Sequence, residues 1–268
     1  YQYDRTPLHP VVEHSEGSSP FWRKEKITFD AAYDGERMMA YLFLPKAANP
    51  PYQTVIYFPG AGAVYDESFD DLEQRKITEY IITSGRALLF PVYYGTYERP
   101  AARGRVWTLS SIAQTPLAYR DWAIRMVKDL RRCVDYLETR HGDVDSDSVA
   151  YYGLCLGGAI GPIVLAVEDR LDAGIFLVGG IPAVEVPRCI DVALYAERVS
   201  VPVLMVNGQE DFLVPRMTSQ ILHERLGTPK EHKEYKLYPG GHGIYALFYP
   251  QIRADVLAWL DRYLGPVE

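Results

Sequence analysis

Tyr151-Tyr152-Gly153-Leu154-Cys155-Leu156-Gly157-Gly158 is the stretch whose reading decides the fold. It reads as a strand driven into a sharp turn, with a thiol at the apex and a helix beyond. The Gly-x-Cys-x-Gly spacing answers a steric demand. A strained turn of this kind brings strand and following helix together, leaving room for little more than a hydrogen two positions either side of the apex. A nucleophile presented in this way needs a base, and the base needs a group to orient it. Two downstream segments offer both.

The first is Gly208-Gln209-Glu210-Asp211-Phe212-Leu213-Val214-Pro215, which follows the apolar run 201–206. A carboxylate here can hold one imidazole nitrogen, set the ring's tautomer and stabilise the cation when it forms. Asp211 is the first choice and Glu210 the runner-up; an Asp ahead of Val-Pro could also simply begin a turn. The second segment is Pro239-Gly240-Gly241-His242-Gly243, directly after the run 235–238. Flanking glycines let a short loop lay the His242 ring toward the nucleophile. His9, His14, His141, His223 and His232 lack such a setting and read as surface or packing residues.

Negative charge developing on a substrate oxygen calls for backbone N–H groups aimed at it. The Leu156 amide, next after the thiol, is one candidate. Another lies in Pro59-Gly60-Ala61-Gly62-Ala63, where Ala61 is preferred by position and Gly62 held in reserve. Tyr65, Tyr97, Arg99 and Trp107 are candidate substrate-binding residues, whereas Arg120 and Asp121 read as an ion pair pinning a loop. Cys133 and Cys189 read as small hydrophobes. Cys155 differs: as a thiolate beside an imidazolium it could attack an ester without losing a proton in that step.

Short apolar runs alternate with helical patterns along the chain. Residues 26–30 and 38–44 alternate around Asp34-Gly35 as an antiparallel hairpin. Runs 54–58, 87–92, 148–153, 173–178, 201–206 and 235–238 look like buried parallel strands. Residues 69–82 read as a helix, and Ala123, Val127, Leu130, Val134 and Leu137 mark a long amphipathic one. A final helix over 253–264 stops at Gly265-Pro266. The expectation is an α/β fold with a mostly parallel central sheet, an N-terminal antiparallel hairpin and helices on both faces. Residues 1–22 form an extended lead-in, 23–268 one domain, and 182–199 the main insertion.

The chain has 268 residues with a formal net charge of −7. No basic block stands out, which argues against nucleic acid or an anionic membrane as partner. No apolar run approaches the roughly 18 residues of a spanning helix. Three cysteines make no disulfide framework and match no zinc spacing, so neither metal nor cofactor is expected. Free thiols fit a reducing compartment, giving a cytoplasmic expectation.

The block 153–158, with Asp211 and His242, resembles the dienelactone-hydrolase branch of the α/β-hydrolases. That resemblance implies an α/β-hydrolase fold and a Cys155–His242–Asp211 triad acting on esters. A likeness spanning nearly the whole chain is to hydrolase domains at the C-terminal ends of bacterial serine/threonine-kinase-like proteins. It is carried by Tyr3-Asp4-Arg5-Thr6-Pro7-Leu8, Trp22-Arg23-Lys24-Glu25-Lys26, Tyr57-Phe58-Pro59-Gly60, Gly95-Thr96-Tyr97-Glu98-Arg99 and Trp259-Leu260-Asp261-Arg262-Tyr263-Leu264. It implies fusion to, or excision from, a longer protein. Those domains look like serine enzymes, so Cys155 is either a natural variant or a Ser→Cys substitution. Dienelactone hydrolases proper carry a glutamate after the oxyanion strand; here no carboxylate precedes Asp66, which speaks against a dienelactone substrate.

The leading expectation is therefore a carboxylic ester hydrolase taking a small-molecule ester through a covalent acyl-enzyme. Alternatives are an acyltransferase or thioesterase on the same scaffold, or a weakly catalytic acyl- or ligand-binding domain.

Overall fold

Among the described residues the chain forms nine strands, most of them apolar runs, and their ends decide where the reactive side chains emerge. The structure is a computed structural model describing residues 1–69, 75–100 and 113–267. The strands are β1 (Val11–Glu16), β2 (Trp22–Asp30), β3 (Arg37–Pro45), β4 (Tyr52–Phe58), β5 (Ala87–Val92), β6 (Val144–Leu154), β7 (Ala173–Leu177), β8 (Val203–Gly208) and β9 (Lys233–Tyr238). They form one sheet in the order β1-β2-β3-β5-β4-β6-β7-β8-β9. Pairing is antiparallel from β1 through β3 to β5 and parallel from β5 through β4 to β9.

The helices are α1 (Arg75–Thr83), α2 (Pro116–Leu137), α3 (Leu156–Val167), α4 (Val192–Ala196), α5 (Arg216–Arg225), α6 (Ile244–Leu247) and α7 (Tyr249–Tyr263). Successive residues of the central strands point to opposite faces, so two cores form. Ile56, Phe58 and Tyr151 pack with α2, α3 and residues of α4 and α5. Val55, Tyr57 and Tyr152 pack with α1 and α7. Full burial of each such side chain contributes about 1.5–3 kcal/mol, so the two-sided centre outweighs the edges. An α/β fold with a mostly parallel sheet and an antiparallel N-terminal region matches the expectation.

Some boundaries move. The expected lead-in contains β1, an edge strand whose six residues are all exposed. Backbone pairing to β2 holds it, with Lys26–Glu13 at 3.2 Å alongside. The expected helix 69–82 is described as α1 from residue 75, with 70–74 outside the described residues. The 182–199 insertion contains α4, capped by Asp191, which accepts from the Ala193 amide at 3.0 Å.

Register brings the reactive loops to one rim. Phe58, ending β4, pairs with Gly153 at the end of β6, and Gly208, ending β8, pairs with Tyr238, ending β9. The open end of such a sheet is where ligands bind.

Candidate active site

Cys155 stands between β6 and α3 at φ 51°, ψ −100°. A non-glycine residue there carries about 1–3 kcal/mol of backbone strain and persists only if its surroundings hold it. They do. A Cβ on Gly157 would fall 2.3 Å from the Phe58 carbonyl oxygen, and one on Gly153 would fall 2.4 Å from the Gly157 carbonyl carbon. The Cys155 amide donates to Leu177 O at 2.8 Å, and the Tyr151 hydroxyl donates to Gly157 O at 2.6 Å. Tyr151 and Gly179, which packs against Gly158, complete the turn and were not singled out from the sequence. The signal for Tyr151 lay inside the quoted stretch; Gly179 had none nearby.

His242 Nδ1 donates to Asp211 Oδ2 at 2.7 Å. Asp211 is buried, and its Oδ1 accepts from the Leu213 and Val214 amides, both at 2.9 Å. Its carboxylate thus holds the turn and the ring together. Glu210, the runner-up, uses its carboxylate on the Gly240 amide. Nε2 of His242 is buried and has no hydrogen-bond partner. Burial pushes the imidazole pKa down, yet Cys155 and then Asp211 outweigh it, and it is pushed up to about 9. Thiol and imidazole therefore interact, although no formed hydrogen bond joins them; such bonds commonly tighten around a substrate.

The oxyanion candidates lie beside this thiol. A Cβ on Gly60 would sit 3.4 Å from that of Cys155, placing the loop after β4 against the nucleophile. Neither the Leu156 nor the Ala61 amide has an acceptor among the described residues. Ala61 opens a single 3-10 turn, Ala61–Val64.

The substrate-binding candidates separate. Tyr65 is exposed just after that turn. Tyr97 is buried, its ring 6.0 Å from that of Phe90, and its amide donates to Ala63 O at 3.0 Å. It ties the segment after β5 to the Ala61–Val64 turn. Arg99 pairs with buried Asp129 at 2.7 Å and donates to the Tyr33 hydroxyl and Val92 O. These contacts correct the expectation for Arg99: its guanidinium ties scaffold elements together. Sequence could not reveal this, because Asp129 lies thirty residues on and is unmarked by any motif. Trp107 lies outside the described residues. Arg120 and Asp121 pair at 2.6 Å, but both lie inside α2 as neighbours, so the pair is not the expected loop pin.

Cys133 is buried, and burial pushes its thiol pKa well up. Cys189, expected to pack as a small hydrophobe, is instead exposed. Among the described residues no group of three or more His, Cys, Asp or Glu could hold a metal ion, and no helix is long and apolar enough to cross a membrane.

A strained turn at Cys155 in the centre of a mostly parallel sheet, with the Asp211 and His242 loops after later strands, defines an α/β-hydrolase fold. Solved structures share this architecture. An acetyl xylan esterase from Paenibacillus sp. R4 matches with a TM-score of 0.75 at 17% identity, covering 97% of this chain and 90% of that one. A cold-adapted esterase from an Arctic intertidal metagenomic library matches with a TM-score of 0.70 at 16% identity, covering 96% and 98%. An esterase from Pyrococcus furiosus matches with a TM-score of 0.69 at 16% identity, covering 97% and 100%. At these identities the likeness concerns the fold.

Residues 38–255 match the model of the dienelactone hydrolase family, and the chain belongs to that family. It is accordingly a hydrolase acting on esters. No curated protein matches the chain.

Proposed function

We propose that the chain hydrolyses small carboxylic esters through a covalent acyl-enzyme on Cys155, with His242 as proton carrier and Asp211 as its orienting group. The observation that carries this reading is the 2.7 Å contact of Asp211 with His242 Nδ1, which leaves Nε2 buried and without a hydrogen-bond partner while Cys155 raises the ring's pKa.

The steps follow from those groups. The sulfur, its proton already on Nε2, adds to the ester carbonyl and pushes an electron pair onto the oxygen. The Leu156 and Ala61 amides hold that oxyanion. As the C–O bond breaks, His242 returns the proton to the departing alcohol, leaving a thioester. Water then adds as His242 takes its proton, the C–S bond breaks, and acid and thiolate–imidazolium re-form. The kinase-linked resemblance adds that this domain works as part of a longer bacterial protein, in a reducing compartment where free thiols persist.

Turnover of short-chain aryl esters tests the assignment. Cys155→Ala should lose about 10³-fold or more in kcat, with an acyl adduct on Cys155 detectable by mass spectrometry in the parent protein alone. Wild-type rates in Cys155→Ala would end the reading. Cys155→Ser discriminates further: a large gain marks a serine scaffold in which sulfur turns over poorly and acyl-enzyme accumulates, and a large loss marks a dedicated thiol enzyme.

A further inference from the structure

We infer that Glu210 is a positioning residue, clamping both backbone polar groups of Gly240 and so fixing where the histidine loop carries His242. The inference rests on the catalytic reading of Cys155, His242 and Asp211 proposed above.

The Glu210 amide donates to Gly240 O at 3.0 Å, and the Gly240 amide donates back to Glu210 Oε2. One residue past Glu210 and two past Gly240, His242 Nδ1 meets Asp211 Oδ2. Two loops leaving neighbouring strands are thus joined by adjacent cross-links, one involving Glu210 and the other the proposed acid–base pair. Gln209 continues the set, its amide donating to Tyr238 O at 2.9 Å.

Packing holds this loop at two points: a Cβ on Gly208 would fall 2.5 Å from the Gly240 and Gly241 carbonyl oxygens, and Ile244 just beyond the loop is buried. Gly240 is held at φ 110°, a conformation in which a side chain would be strained. A Cβ on Gly243 would meet nothing within 4 Å, and one on Gly241 would meet just the Glu210 carbonyl oxygen, at 3.5 Å. Leu247, at the far end of α6, is 71% exposed. Between those two points side-chain contacts are few, hydrogen bonds set the course of the loop, and Glu210 supplies a side-chain acceptor where Gly240 needs one. Because Glu210 is exposed, water can satisfy the freed amide after truncation. Loss of the carboxylate should therefore appear in catalysis far more than in stability.

The test compares Glu210→Ala, Glu210→Gln and Cys155→Ala, each normalised to folded protein. Glu210→Ala should lower kcat by about 10- to 100-fold, the size expected when a reacting group shifts by about an ångström, with KM and Tm nearly unchanged. Glu210→Gln keeps an oxygen acceptor for the Gly240 amide and should recover most of the rate. By NMR, the His242 ring titration should move down from about 9 in Glu210→Ala, as the contact with Asp211 loosens. Wild-type kcat in Glu210→Ala beside an inactive Cys155→Ala would overturn the clamp and leave the triad. Full activity in Cys155→Ala would remove both readings. Glu210→Gln as impaired as Glu210→Ala, or a rate loss with an unmoved His242 titration, would also overturn the clamp.

Discussion

Cys155 and His242 interact at one rim, but the chain around each is held in place differently. Around Cys155, the backbones of β4, β6 and α3 approach so closely that glycine fits where a methyl group would collide with main-chain atoms. Around His242, the loops after β8 and β9 leave the edge of the sheet. Phe212 there is 92% exposed and Leu213 73% exposed. One close approach, of Gly208 to the Gly240 and Gly241 carbonyls, is joined there by hydrogen bonds through Asp211 and Glu210. Packing dominates at the Cys155 turn, whereas the His242 loop leans more heavily on polar contacts. A change at the first place should therefore injure structure and chemistry together, and a change at the second should injure chemistry alone.

One substitution made at both places gives the largest expected contrast. Gly157→Ala drives a methyl into the Phe58 carbonyl oxygen, 2.3 Å away, in a turn that is already strained. Overpacking of this kind costs about 2–4 kcal/mol, and it displaces the Leu156 amide, so thermal stability and ester turnover should both collapse. Gly243→Ala places the same methyl where nothing lies within 4 Å, at a backbone φ of −84° that any residue adopts. Its Tm should stay within the range of a neutral surface change, about 0.5 kcal/mol. Equal destabilisation of the two variants by thermal denaturation would break the comparison.

A smaller effect, confined to rate, is expected on the polar side. In Asp211→Asn the carboxamide oxygen can still accept from the Leu213 and Val214 amides, so the turn survives. Its NH2 then faces His242 Nδ1 and forces that nitrogen to accept, placing the ring proton on Nε2 beside the thiol. That is the wrong tautomer for a base, and kcat should fall by about 10²- to 10⁴-fold. Denaturant midpoints should move by about 1 kcal/mol. A variant that unfolds instead would place Asp211 with the packed residues and erase the distinction.

The same division decided what could be read from sequence. The Cys155 turn was legible because packing at a strained turn restricts residue types, so Gly153, Gly157 and Gly158 announce it. The Asp34-Gly35 hairpin was legible for a related reason: Asp34 and Gly35 both adopt positive φ, which those residue types tolerate. β1 was missed because its residues are all exposed and show no apolar alternation; ladder bonds and surface charges hold it. Arg99 was misread, since a buried partner thirty positions away leaves no local pattern. Glu210 was seen as a rival acid, because sequence shows the carboxylate beside Asp211 but not the Gly240 amide that engages it.

The mildest test changes pH. Cys155 and Asp211 together raise the His242 pKa from 6.5 to about 9, so the protonated ring is favoured between those values. If the thiolate–imidazolium pair is the reactive form, kcat/KM should hold through neutral pH, stand at about half its plateau near pH 9 and fall above it. Cys155→Ser reverses the sign. Without the sulfur's contribution, burial pulls the imidazole midpoint down. A serine hydroxyl also needs a neutral ring to take its proton. Its kcat/KM should rise as pH climbs through that lower midpoint, where the parent protein is still level. Matching pH profiles for the two proteins would mean that Cys155 does not govern His242. The packed and polar halves of the site would then not be coupled as their contact requires.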